Sequence, residues 1–301
     1  MWKNLEKRIK IKWENSLILI DKKGGITSHD EVYNLRRIFH IKKIGHSGTL
    51  DPKVTGLLVM GLGKATKILE YMLLSEKVYE AEFIFHQKIS RDKFEEVRKK
   101  FLGKISQLPP VKSSVKREWR EREIYNLEIL DYDKNERWVK LKTAVERGTY
   151  IRKLAHDMGE EIGIRIHMGD LRRIQVGVFT EKDNFISSEK LAEKIEDFFR
   201  QKCPLKKILL YFQLKKYFYP MEEFFKREKK FEKIFIKKEA KKYILAGNPI
   251  RWKNVKNKNI NFKKDLFVVF QKKELLSIAE KIDFKNREAE TEIFKIKKKL
   301  I

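Results

Sequence analysis

Alternation with a period of two constrains this chain most. Tyr79, Ala81, Phe83 and Phe85 fall on one side of an extended segment, and Val139, Leu141, Thr143 and Val145 do so later, which predicts two strands each turning one face to a core. Helical spacing appears around them. Ser28 with Glu31 has the spacing of a capping box ahead of Val32, Leu35 and Phe39. Asp92 with Glu95 has it ahead of Phe94, Val97 and Phe101, with Gly103 placed to stop the turn. Ile151, Leu154, Ala155, Met158 and Ile162 form a third apolar stripe that ends at Gly163, so Arg152 falls in the first turn of that helix. Strands and helices mix without regular βαβ repeats. The expected class is therefore α+β, a mixed and largely antiparallel sheet with flanking helices. Neither a G-x-G-x-x-G run nor a Walker loop occurs, so no nucleotide cofactor is expected.

At 301 residues the chain exceeds one ordinary domain and predicts a main domain with a smaller appendage. After about residue 215 the composition shifts to Lys, Phe and Ile with short apolar runs at Phe267 to Phe270 and Leu275 to Ala279, which predicts a small β-rich domain from Phe231 onward. The Lys-rich and Asn-rich stretch from Lys253 to Lys264 reads as a solvated loop, with RNA contact as the sharper alternative.

Seventy Lys and Arg against 43 Asp and Glu give a formal charge of +27, which points toward a polyanionic partner, nucleic acid first. Surface lysine alone is the plainer explanation of such an excess. No run approaches the roughly 18 apolar positions of a membrane span, and the charged N-terminus lacks the apolar centre of a secretory signal, so a soluble cytoplasmic protein is expected. Cys203 is the only cysteine, so neither an internal disulfide nor a thiolate zinc site is expected.

The candidate site is the run Gly45-His46-Ser47-Gly48-Thr49-Leu50-Asp51-Pro52, followed by Thr55-Gly56-Leu57-Leu58 and Gly61-Leu62-Gly63. Several glycines beside one carboxylate mark a tight loop where backbone and ligand approach closely, and Pro52 restricts Asp51 to extended geometry. Taken alone, these residues fit a structural turn as well as a site.

The run GHSGTLDPKVTGLL closely resembles the catalytic motif of the TruB and dyskerin pseudouridine synthases. The resemblance continues at Lys77-Val78-Tyr79, at Arg147-Gly148-Thr149-Tyr150-Ile151-Arg152 and at His167-Met168-Gly169-Asp170-Leu171-Arg172-Arg173, in the family's order. It implies the pseudouridine synthase fold over residues 16–230, with Asp51 as catalytic carboxylate, Arg152 as its ion-pair partner, and Tyr79 stacking on a flipped base with its hydroxyl available for proton transfer. It also implies that His46 supports the flipped RNA, that Leu171 packs near the base, and that no metal or cofactor takes part. Lys22, Lys112, Lys116, Arg117, Arg120 and Arg122 are the basic positions assigned to phosphate contact.

Pro109-Pro110-Val111-Lys112-Ser113-Ser114-Val115-Lys116-Arg117 looks like the basic loop of the dyskerin and archaeal branch. Pro220-Met221-Glu222-Glu223 resembles the approach to its C-terminal PUA domain, a small β-barrel expected over residues 231–301 with residues 1–15 packed on it. The chain departs from the family at Lys22-Lys23, usually Lys-Pro, at Leu108, commonly Arg, and at Lys264-Asp265, commonly Gly-Asp. The branch implies modification of rRNA or tRNA directed by a box H/ACA guide RNA. It also implies three protein partners: a small zinc-ribbon-like protein, a small β-barrel protein and a kink-turn-binding ribosomal protein. A stand-alone tRNA T-loop enzyme and a guide-RNA scaffold without needed catalysis are the alternatives.

Overall fold

The computed structural model describes residues 13–110, 116–257, 259–282 and 292–300. The chain divides into two compact units, the larger holding Ile18–Met60 and Leu69–Tyr217, the smaller holding Gly61–Ile68 and the chain from Phe218 onward together with residues that precede Ile18.

The larger unit runs through β1 (Ser16–Lys22), α1 (Ser28–Phe39), β2 (Ile44–His46), β3 (Thr55–Leu62), α2 (Leu69–Leu73), β4 (Lys77–Phe85), α3 (Arg91–Lys100) and β5 (Gly103–Gln107). It continues through β6 (Arg120–Tyr132), β7 (Trp138–Val145), α4 (Ile151–Ile162), β8 (Ile166–Val176), β9 (Phe179–Thr180), α5 (Ser188–Arg200) and α6 (Pro204–Lys215). Its sheet has the order β1-β3-β8-β4-β7-β6-β5, with β2 on β3 and β9 on β8. β3 and β8 run parallel, while β4 is antiparallel to both β7 and β8, and β6 to both β5 and β7. This is the mixed, largely antiparallel sheet expected. The alternation reads correctly: Ala81, Phe83, Phe85, Val139, Leu141, Thr143 and Val145 are all buried, and α4 adds Leu154, Ala155 and Met158 to the same core.

Two helix starts lie earlier than the spacing suggests. The cap of α1 is Thr27, whose hydroxyl accepts from the Asp30 N–H at 3.0 Å while Asp30 accepts from the Thr27 N–H at 2.7 Å. Ser28 is unavailable as a cap because its hydroxyl bonds both the N–H and the carbonyl of Leu50. The cap of α3 is Ser90, and Glu95 instead binds Arg98 Nε at 2.7 Å. Gly103 lies beyond that helix and opens β5 with a φ of 85°. α4 ends at Gly163 in the left-handed region, as its sequence predicts.

In the smaller unit, β10 (Phe218–Pro220) and α7 (Met221–Arg227) precede β11 (Glu232–Phe235), α8 (Lys241–Ala246), β12 (Ile250–Arg251), β13 (Leu266–Gln271), β14 (Glu274–Lys281) and β15 (Glu292–Lys299). The five strands β11-β13-β14-β15-β12 form one sheet around Ile234, Phe267, Val269, Leu276 and Phe294. The two apolar runs read from sequence become β13 and β14. The stretch after Lys253 is more than a solvated loop: Val255 and Ile260 are buried, and the Asn257 side chain bonds the Phe235 N–H at 2.7 Å and the Lys233 carbonyl at 2.8 Å. Of the N-terminal segment only Trp13 onward is described; its ring stacks on Phe218 at 4.9 Å. Among the described residues no helix is long and apolar enough to cross a membrane.

Candidate active site

Asp51 occupies the loop between β2 and β3, and the loop is fastened on both sides of it. Ser47 N–H donates to the Val59 carbonyl at 2.9 Å, Ser28 Oγ accepts from Leu50 N–H at 2.9 Å, and Val54 N–H closes a turn on the Asp51 carbonyl at 3.0 Å. Beyond Asp51 the Pro52 carbonyl accepts from Gly25 N–H at 2.9 Å and from Lys22 Nζ at 3.0 Å. Gly56, at a φ of 102°, lets β3 lie directly on β8: a Cβ there would collide with the Arg173 carbonyl.

Arg152 projects from the first turn of α4, where the sequence placed it, and its Nη2 donates to Asp51 Oδ2 at 2.8 Å. About half of each side chain is exposed, 48% for Arg152 and 53% for Asp51, so a ligand has access to both. The start of α4 is held by a residue that sequence reading passed over. Gln107, buried at the end of β5, accepts from Tyr150 N–H at 3.0 Å and donates to the Tyr150 carbonyl at 3.3 Å. That clamp replaces the side-chain cap α4 lacks. A glutamine just before a double proline offers no sequence signal of such a role.

Tyr79 on β4 is partly buried and lies directly across from Arg173 on β8. Arg173 is fully buried; its Nε donates to the Leu57 carbonyl at 2.8 Å and its Nη2 to the Gly48 carbonyl at 3.1 Å, and the Tyr79 hydroxyl completes its partners. Tyr79 is thus tied to the Asp51 loop through Arg173. His46 lies in the same loop with Nδ1 accepting from Gly48 N–H at 3.3 Å. Burial first, then the neighbouring His29 and Arg173, hold its pKa below the ordinary imidazole value, which favours the neutral ring. Leu171, opposite Ala81, is partly buried against the core two positions before Arg173.

The basic positions separate into three groups. Lys22 is not a phosphate ligand: it is fully buried, and its Nζ donates to the carbonyls of Lys23, Ile26 and Pro52 at 2.8, 2.7 and 3.0 Å, which uses all three of its protons. Lys112 lies outside the described residues. Lys116 and Arg117 are exposed, with Lys116 Nζ 3.3 Å from Glu118, whereas Arg120 and Arg122 are half-buried. Arg122 lies against Gly148, on the turn that leads into α4, and the Nε atoms of Arg120 and Arg122 are buried without a hydrogen-bond partner among the described residues.

Among the described residues, His156, Asp157 and Glu160 bring possible metal-ligand atoms within 4.8 Å of one another on α4. Asp157 is already ion-paired with Lys153, which opposes a cation there.

Residues 36–151 match the N-terminal domain of the TruB family of pseudouridylate synthases, and residues 152–226 match the C-terminal domain of tRNA pseudouridylate synthase B. A curated protein of Sulfurisphaera tokodaii, named "Probable tRNA pseudouridine synthase B", is 43% identical over 204 residues, 67% of this chain and 60% of that protein. The protein of the same name from Methanothermobacter thermautotrophicus is 43% identical over 166 residues, 55% of this chain and 51% of its own length. The aligned part thus spans only about half to three fifths of these curated relatives. Among solved structures, that of a Cbf5-Nop10-Gar1 complex superposes with a TM-score of 0.84 at 30% identity, covering 97% of this chain and 87% of the other. An H/ACA RNP bound to a substrate RNA containing 2'-deoxyuridine gives 0.81 at 27%, covering 97% and 87%.

Proposed function

Because the chain belongs to the TruB family of pseudouridylate synthases, we propose that it converts uridine in RNA to pseudouridine with Asp51 as the catalytic carboxylate. The observation that carries this reading is the bond from Arg152 to Asp51, which joins two residues 101 positions apart at an accessible surface. The reaction breaks the N1–C1′ bond, turns the uracil and joins C5 to C1′. One proton leaves C5 and one is returned to N1, so atoms and electrons balance without a redox partner. The uridine must leave its stack to be reached. Asp51 serves as the nucleophile or base while Arg152 orients it and keeps it ionised. Tyr79 stacks on the base and handles a proton, with His46 and Leu171 shaping the pocket, while Lys112, Lys116, Arg117, Arg120 and Arg122 meet phosphates.

Residues 16–230 then form the catalytic domain, and residues 231–301 a PUA-like domain that anchors RNA. Target choice lies with a box H/ACA guide RNA. The partners are small zinc-ribbon-like and β-barrel proteins and a kink-turn-binding ribosomal protein. Support for this comes from the neighbouring structures, which are of a Cbf5-Nop10-Gar1 complex and an H/ACA RNP. The second reading, a stand-alone tRNA enzyme, is favoured by the names of the curated relatives. A scaffold without catalysis has no need of the Asp51–Arg152 pair. The test supplies the chain with a tRNA transcript, with and without guide RNA and the partner proteins, and maps pseudouridine. Turnover only with the guide supports the first reading, turnover without it the second, and none in either case the scaffold.

A further inference from the structure

We propose that Arg173 is the positioning residue for Tyr79: its buried guanidinium donates to the phenol oxygen and so turns the Tyr79 hydroxyl hydrogen outward, toward a bound uracil. The inference rests on the synthase reading for its chemical consequence, and on geometry for the bond itself.

Arg173 and Tyr79 are register partners on the antiparallel strands β8 and β4, so their side chains leave the same face of the sheet. Two carbonyls fix the guanidinium, Leu57 on Nε and Gly48 on Nη2, and leave it little freedom to rotate. The third partner is the Tyr79 hydroxyl. A guanidinium has five N–H donors and no acceptor, so in this contact the phenol oxygen can only accept. Its own hydrogen must then point away from Arg173, on the side where Tyr79 remains partly exposed.

A buried arginine that serves only as a brace ordinarily has a carboxylate beside it, because an unmatched charge is costly away from water. Among the described residues Arg173 has no carboxylate partner. Desolvation accordingly pulls its proton affinity down, and Tyr79 is the group that works against that pull. The cation is therefore held behind the one polar atom that faces the site from β4. A phenol that accepts from a cation is also a stronger donor on its other side, because hydrogen bonds in a chain polarise one another. That suits a step in which uracil carries negative charge after N1–C1′ cleavage: Tyr79 stabilises it by donation, and no proton need transfer.

The experiment uses the full chain and a tRNA transcript with the guide RNA and partner proteins. The side-chain 15N signals of Arg173, assigned through its backbone, are recorded in the unsubstituted protein and in Tyr79→Phe. Single-turnover rates and RNA affinities are measured for Arg173→Lys and Arg173→Met. Tyr79→Phe is expected to shift the Arg173 signals. Arg173→Met should slow turnover roughly 10- to 100-fold with RNA affinity within about twofold, and Arg173→Lys should recover part of the rate, as for loss of one charge-assisted bond. Arg173 signals unmoved by Tyr79→Phe overturn the proposal, as does a rate loss in Arg173→Met matched by an equal loss of affinity. If the Arg173 variants fail to fold, the signals in Tyr79→Phe decide alone. Absence of turnover in the unsubstituted protein would instead count against the synthase reading, and the signals would still decide the bond.

Discussion

Replacing Arg152 by Ala separates catalysis from folding, and the structure sets the size of each effect. The Asp51–Arg152 pair closes at 2.8 Å, but each partner keeps about half its surface in water, 53% and 48%. A pair so exposed is screened and contributes only about 0.2–1 kcal/mol. For a unit of this size that corresponds to a melting shift of at most about 4 °C. When RNA covers the site the same bond loses its solvent, and a charge-assisted hydrogen bond there is worth about 1.5–3 kcal/mol, or roughly 10- to 150-fold in rate. Arg152→Ala should therefore melt within about 4 °C of the unsubstituted protein and lose at least tenfold in single-turnover rate. Arg152→Lys should recover less than the full rate because an ammonium cannot reproduce the guanidinium's planar fork. Thermal unfolding and pseudouridine mapping on one preparation test both halves. A rate within threefold of normal, or a melting point lowered by 10 °C or more, would refute the assignment and make Arg152 a brace for α4.

Asp51→Asn, which is isosteric and uncharged, should abolish pseudouridine formation with RNA affinity nearly unchanged; normal turnover would sink the enzyme assignment. Lys22→Met removes three donors from buried carbonyls and should cost about 2–4 kcal/mol, roughly 5–15 °C in melting temperature, whereas a phosphate ligand would lose RNA affinity and melt normally. Burial raises the Glu31 carboxyl above its ordinary pKa, with Lys22 opposing more weakly. The stability linked to Glu31 is thus fully present below the ordinary carboxyl value and lost as pH rises through the raised one. Glu31→Gln should flatten that fall in melting curves taken between about pH 4 and 7 and raise the melting point at neutral pH; a lower one would mean the carboxylate is needed to balance Lys22.

The parts of the site legible in the sequence were those whose position follows from local periodicity or from an unusual run. The apolar stripe ending at Gly163 places Arg152 in a first turn without any tertiary information, and Pro52 fixes the backbone beside Asp51. What stayed hidden depends on which backbone groups end up needing a partner. Lys22 reads as one more cation in a chain with 70 of them, yet it is consumed by three carbonyls. Gln107 and Ser28 are equally unmarked, since their partners, Tyr150 and Leu50, are 43 and 22 residues away. The misplaced cap has the same cause: Thr27 and Ser28 are equivalent by propensity, and only the demand of Leu50 for a hydroxyl decides between them.

These hidden residues share one task. The Gly48 carbonyl is held by Arg173, both backbone groups of Leu50 by Ser28, and the Pro52 carbonyl by Lys22 and Gly25, so the chain on each side of Asp51 is anchored to a different element. Two of the anchors are fully buried cations. An isolated buried charge is expensive, and carbonyl oxygens offset that only in part; a neutral donor would tie the loop down at lower cost. What a cation adds is a field, and for Lys22 the Asp51 carboxylate is among the charges that favour its protonated form. By reciprocity the buried ammonium favours an ionised Asp51, from a side that no ligand has to cross. The loop is thereby rigid where its backbone is covered, and its carboxylate remains free to meet Arg152 and a substrate.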